Sequence, residues 1–336
     1  EFAQILRRVT DGLNWVFGSS SDVLSFTTSG TGGLEVAVVN TLSPGDKVLS
    51  VSIGSFGDRL KSIAKTYGAD VVSYATEWGE AADPSVIGSM LDDDKSIKAV
   101  LVTHNETSTG VTNPLEAIAK EVRARDRLII VDAVSSMSSI PCPVERWGLD
   151  VVVSGSQKGW MVPPGLAFVY MSERAWAANA DAKMPRFYFD AAKTRDSLAK
   201  LQNPWTPAMS IYYSMDKAFE LLRAEVADHP PRLLAQQEPD PAVAPLRPRR
   251  REVRVAKAPL AEELLRQIAR LGADLLQADH VRAGEAQPVE EALAHAGADA
   301  VHVPGDEAER HRPCRLAMAV RARQGAAGRA ARASRV

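Results

Sequence analysis

The sequence is short of cysteine, of net charge and of long apolar runs, and each shortage excludes a class of protein. Two cysteines, Cys142 and Cys314, lie far apart in the chain. They cannot build the disulfide framework of a small secreted domain, and they fit a reducing, cytoplasmic setting. A formal net charge of -2 over 336 residues gives no electrostatic case for nucleic acid or an anionic membrane. No apolar run reaches the roughly 18 residues that a membrane span needs. Glu1-Phe2-Ala3-Gln4-Ile5-Leu6 carries no charged leader or signal core and reads as the middle of a helix. An N-terminal segment is therefore expected to be missing.

Aromatic residues run out part-way along. From Leu221 to the end there is no Phe, Tyr or Trp, and Lys257 is the one lysine. Ala, Arg, Pro and Glu dominate, with helical patterning at about 259–271 and 288–296. Pro245-Leu246-Arg247-Pro248-Arg249-Arg250-Arg251 resembles a linker. So polar a stretch makes a poor core. It is either an unusual small domain or a region recorded out of its reading frame. The expected division is a large domain over 1–226 and a smaller, anomalous one over 227–336.

What is present lies mostly before that point. Apolar residues make up 45% of the chain, enough for a sizeable core. Residues 1–18 have helical periodicity, from Phe2, Ile5 and Leu6 to Val16. A Ser/Thr/Gly cluster at 18–33 precedes a helix from about Thr31 to Leu42, which Ser43-Pro44-Gly45-Asp46 closes. Apolar strands then alternate with amphipathic helices. The strands are Lys47–Ser52, Asp70–Tyr74, Ala99–Thr103, Leu128–Asp132, Val151–Ser154 and Leu166–Met171. Helices fall at 57–67, 84–92 and 114–125, and again at 193–200 and 210–226. This pattern predicts an α/β fold with a mostly parallel sheet covered by helices on both faces.

Two residues at strand ends carry the chemistry. Lys158 follows the buried-looking strand Val151–Ser154 in a Ser/Gly loop, between Gly155 and Gly159. A loop lysine is ordinarily a solvated surface group. One that follows a buried strand, in a turn whose glycines let a ligand approach, suits an imine with pyridoxal phosphate. Asp132 ends the strand Leu128–Asp132. A strand-end aspartate is often a turn or helix cap, but a protonated pyridine nitrogen needs such a carboxylate. Ligands of open α/β sheets bind at the carboxyl ends of strands, where both residues fall.

Weaker signals surround them. Thr28-Ser29-Gly30-Thr31-Gly32-Gly33 stands directly before a helix, so free backbone N–H groups and hydroxyls offer an anion site. A flexible loop with an N-cap explains the same residues. It is neither the GxGxxG dinucleotide pattern nor a Walker loop. Gln157 adds a donor beside the lysine. Phe56, in a Gly-rich strand-to-helix loop, is either core or a platform for a flat ring. Thr107, in Thr103–Gly110, is placed to bond a phenolic oxygen. His104 and Glu106 in that loop equally suit structural polar roles.

At these residues the chain resembles a class V, fold type I, pyridoxal-phosphate aminotransferase of the alanine–glyoxylate and serine–glyoxylate group. The matching runs are SGTGGLEVAVVNTLSPGD (29–46), GSFGDR (54–59), THNETSTGVTNP (103–114), VDAVSSMSSIP (131–141), DVVVSGSQKGWMVPPGLAFV (150–169) and NPWTPAMSIYYSM (203–215). The resemblance implies that Lys158 carries the imine and Asp132 binds the pyridine nitrogen. Ser29, Gly30, Thr31 and Gln157 would bind the phosphate, Thr107 the phenolic oxygen, and Val134 the ring face opposite Phe56. It also implies a smaller C-terminal α+β domain and a homodimer with shared active sites, in which Thr206 reaches the partner's phosphate. A tyrosine of some relatives stands here as Asn203. Arg332, in an eroded echo of a late arginine motif, is the implied substrate-carboxylate ligand.

The expected reaction moves an amino group from serine or alanine to glyoxylate or a similar small 2-oxo acid, in ping-pong order. Two other readings compete. A lyase such as a cysteine desulfurase needs a reactive thiol and typically carries His where Gln157 stands. A non-catalytic accessory protein would explain the missing N-terminus and the eroded arginine motif.

Overall fold

The computed structural model describes residues 1–228. Residues 229–336 of the C-terminal domain expected over 227–336, Arg332 among them, lie outside the described residues. The chain runs α1 (Phe2–Phe17), β1 (Leu24–Thr27), α2 (Gly30–Thr41), β2 (Lys47–Ser52), α3 (Ser55–Thr66), β3 (Asp70–Ala75), α4 (Pro84–Asp93) and β4 (Ile97–Thr103). It continues with β5 (Asn105–Glu106), β6 (Val111–Thr112), α5 (Leu115–Ala124), β7 (Leu128–Asp132), β8 (Val151–Gly155), β9 (Leu166–Met171), α6 (Glu173–Asp181), α7 (Ala191–Leu198) and α8 (Met209–Asp228).

Seven strands form one sheet in the order β1-β9-β8-β7-β4-β2-β3. Pairing is parallel from β8 to β3 and antiparallel on both sides of β9. Every residue of β7, β8 and β9 is buried, as strands covered on two faces must be. The step from β2 to β3 moves one way across the sheet, and the steps from β3 to β4 and from β4 to β7 move the other. Right-handed crossovers then put α3 on one face and α4 and α5 on the opposite face. The packing agrees: α2 touches α3 and α6, while α4 touches α5. The reversal falls between β2 and β4, so a crevice opens at their carboxyl ends.

The helices follow their sequences. Leu6, Val9, Leu13 and Phe17 make the buried stripe of α1, which Gly18 ends in the left-handed conformation at φ 64°. Asp83, Ser172 and Asp190 cap α4, α6 and α7, each accepting from a backbone N–H. Trp160 is fully buried, edge-on to Phe168 and Phe219 and stacked on Phe17, with its N–H on Ser154 Oγ at 2.9 Å. It fixes the turn that carries Lys158 to the core.

Four elements go beyond the sequence expectation. The cluster at 18–33 contains β1, whose four residues pair with Leu166–Val169 of β9. So short a strand, without an apolar run around it, owes its conformation to that pairing rather than to propensity. The short hairpin β5–β6 occupies the stretch read as a polar loop. The helix α6, too short for clear periodicity, depends on its Ser172 cap.

Candidate functional site

Strand direction gathers the expected residues at one edge of the sheet. Because β9 is antiparallel to both neighbours, β1 points the same way as β8. The carboxyl ends of β1, β2, β4, β7 and β8 therefore share an edge; the loops leaving them carry Ser29, Thr107, Val134 and Lys158, and the first turn of α3 after β2 carries Phe56. Asp132 is the last residue of β7, in register with Thr103 and Val153.

Phe56, Asn105, Thr107, Asp132, Val134, Ser135 and Lys158 line one cavity. Asp132 is buried, and Oδ1 accepts the Val134 N–H at 3.0 Å. Burial pushes its carboxyl up to about 6; the Val134 hydrogen bond and the more distant positive charges of Arg59 and Lys158 act the other way. A buried carboxylate with one backbone donor is a group in want of a cation. The Lys158 turn is held at both ends. Lys158 N–H donates to Gly155 O at 3.3 Å, and Met161 N–H to Lys158 O at 3.0 Å. Ser138 Oγ donates to Gly159 O at 3.2 Å.

Ser29 is the N-cap of α2 and makes no side-chain cap bond, so the first turn of α2 keeps its N–H groups available. Gly30 lies against Val134: a Cβ there would come within 2.9 Å of Val134 Cγ2. Gly155 is equally tight, since its Cβ would stand 3.1 Å from Gln157 Oε1 and 3.5 Å from Gly30 Cα. These two glycines let the turn before α2 and the turn after β8 come together, with Ser29, Gly30, Thr31 and Gln157 around their meeting point. Thr206 does not join them. It is exposed, in the segment between α7 and α8. Asn203 turns inward, where its Nδ2 donates to the Tyr212 hydroxyl at 2.9 Å and that hydroxyl contacts Ser25 Oγ at 2.6 Å.

The sequence reading missed Asn105, Ser135 and Arg59, and it offered Glu106 a structural polar role without the contacts that define it. Asn105 and Ser135 line the cavity and lock one another: Asn105 Nδ2 donates to Ser135 Oγ at 3.0 Å, and Ser135 Oγ to Asn105 O at 2.8 Å. Glu106 is fully buried. Its Oε2 accepts from Phe56 N at 3.0 Å and Gly57 N at 3.1 Å, and its Oε1 from Ser108 N at 3.1 Å and Ser108 Oγ at 2.7 Å. It caps α3 from another loop and so places Phe56. Arg59 lies with its guanidinium carbon 4.7 Å from the centre of the Phe56 ring. All four lie within, or three residues from, the motifs that drew attention. Their roles depend on contacts between loops, which no single motif displays.

Residues 1–229 match the family model described as aminotransferase class-V. A soluble hydrogenase small subunit of Synechococcus sp. is 44% identical over 228 residues, covering 67% of this chain and 59% of that protein. The L-aspartate–glyoxylate aminotransferase of Paracoccus denitrificans is 38% identical over 229 residues, covering 67% and 58%. Among solved structures, the alanine–glyoxylate aminotransferase of Nostoc sp. superposes with a TM-score of 0.64 at 29% identity, over 66% of this chain and 60% of that one. The chain thus spans about three fifths of the length of the curated relatives it matches.

Proposed function

The chain belongs to the class V aminotransferase family, and on that premise we propose that it transfers an amino group from serine or alanine to glyoxylate or a similar small 2-oxo acid. Aminotransferases of this class depend on pyridoxal phosphate. The residues at the sheet edge fit that group. Asp132 is buried and short of a cation, which the protonated ring nitrogen supplies, and the Lys158 amine lines the same cavity. Lys158 would hold the aldehyde, Asp132 the ring nitrogen, Phe56 and Val134 the ring faces, and Thr107 the phenolic oxygen. The phosphate falls to Ser29, Gly30, Thr31 and Gln157.

When bound, the cofactor supplies an electron sink for the substrate's α-carbon. The chain's own part is placement and proton movement. The carboxylate of Asp132 holds the ring nitrogen in its charged form. Lys158 is the base within the cavity that takes and returns the α-proton. Two half-reactions in ping-pong order follow from one amine serving both substrates in turn.

The observation that carries this reading, against the hydrogenase names of two relatives, is that Lys158 and Asp132 line one cavity. A desulfurase reading lacks support from Cys142, which is buried with its thiol pushed up to about 12; Cys314 lies outside the described residues. The proposal extends to a homodimer, for which Thr206 is exposed and accessible to a second copy, and to a cytoplasmic location. Replacing Lys158 by Ala tests it. The visible absorption of the lysine-bound cofactor and all measurable serine– or alanine–glyoxylate exchange are expected to disappear. Full activity in that variant would sink the proposal.

A further inference from the structure

The proposed phosphate site has a deficit of positive charge. A phosphate monoester carries about -1.5 to -2 at neutral pH, and a helix N-terminus offers roughly +0.5. Ser29, Gly30, Thr31 and Gln157 contribute hydrogen bonds but no full charge. One cation reaches this turn from another element. Arg59, one helical turn after Phe56 on α3, directs Nη1 at Thr31 Oγ1, 3.3 Å away.

Its neighbours leave that cation uncommitted. Asp58, beside it in sequence, is occupied by Lys61 Nζ at 2.6 Å and Ser52 Oγ at 3.0 Å. Glu35, one turn beyond Thr31, accepts from the Tyr67 hydroxyl at 2.6 Å. Glu106 is saturated by the α3 and Ser108 donors. Among the described residues Arg59 enters no ion pair. It is solvent-exposed, with its guanidinium resting on the Phe56 ring. A weakly hydrated, planar cation lying on an aromatic and touching a turn rich in N–H and hydroxyl groups suits a phosphate oxygen.

We infer that Arg59 is a further cofactor-binding residue, a counter-charge to the phosphate that also steadies Phe56. This rests on the pyridoxal-phosphate reading above. Removing a hydrogen bond to a charged group costs on the order of tenfold or more in affinity. The test compares pyridoxal phosphate with pyridoxal, which keeps the aldehyde and ring but lacks the phosphate. Each is titrated into the full chain as wild type, Arg59→Gln and Arg59→Lys, and uptake is followed by absorbance and by quenching of tryptophan fluorescence. Arg59→Gln is expected to loosen pyridoxal phosphate about tenfold or more while leaving pyridoxal within about twofold. Arg59→Lys is expected to recover part of the loss, and added salt to weaken the wild type more than Arg59→Gln. Equal loss for both compounds overturns the inference, because Arg59 then serves only Phe56. No loss for either also overturns it. If the wild type takes up neither compound, the cofactor reading falls and the inference with it.

Discussion

Asp132 and His104 meet at one strand end and respond to pH in opposite directions. The backbone N–H of His104 donates to the backbone carbonyl oxygen of Asp132 at 2.8 Å. Its imidazole is buried, edge-on to Trp147, with Nδ1 lacking a hydrogen-bond partner among the described residues. Burial lowers its pKa from 6.5 to about 4, whereas burial raises that of Asp132 from 3.8 to about 6. For Asp132 the folded value lies above the unfolded one, so its contribution is complete below about pH 4 and is lost as pH rises through about 6. For His104 the folded value is depressed, so its contribution is complete above about pH 6.5 and is lost as pH falls through about 4. Each is worth on the order of 3 kcal/mol, and over pH 4–6.5 they largely cancel. In the cofactor-free protein, Asp132→Asn is expected to expose the histidine term, making stability fall on acidification relative to wild type. His104→Gln is expected to expose the aspartate term, making it rise. Urea unfolding from pH 4 to 7 reads both, and slopes parallel to wild type in both variants would contradict the pairing.

At the scale of elements, the position of Phe56 depends on a cap that α3 does not carry itself. The N-cap of α3 is Gly54, which has no side chain to offer, so Glu106 satisfies the Phe56 and Gly57 N–H groups from the loop after β4. A carboxylate at a helix N-terminus gains from the dipole as well as from its hydrogen bonds. Glu106→Ala would leave the N–H groups of half-buried Phe56 and buried Gly57 unmet, at a cost of about 2–4 kcal/mol. Glu106→Gln is expected to fall between, since its amide group would face the Ser108 N–H. Hydrogen exchange at Phe56 and Gly57 checks the cap directly: both amides should lose protection in Glu106→Ala while the amides of β2 keep theirs. The sequence displayed α3 but not this cap. The long strands β4, β7 and β9 were legible because covered strands need unbroken apolar residues. The strand β1 was not, because only its pairing with β9 makes Leu24–Thr27 a strand. Lys158 and Asp132 were legible because a polar residue directly after a buried strand is conspicuous. Asn105, Ser135 and Arg59 were not, because they act through neighbours from distant parts of the chain.

For the molecule as a whole, the site joins segments that are far apart in sequence: 29–31, 56, 105–107, 132–135 and 157–158. A ligand bound at five strand ends cannot stay bound when the sheet separates, so cofactor uptake should stabilise the fold by mass action. At a hundredfold excess over Kd that is about 2.7 kcal/mol. For a cooperative unit of some 150–250 residues it corresponds to a rise in Tm of roughly 5–10 °C. Calorimetry with increasing pyridoxal phosphate should show Tm climbing with concentration. Lys158→Ala loses the covalent link but keeps the ring and phosphate contacts, so its rise should be smaller at the same concentration and should not vanish. A wild-type Tm indifferent to cofactor would mean that the five strand ends do not act as one site.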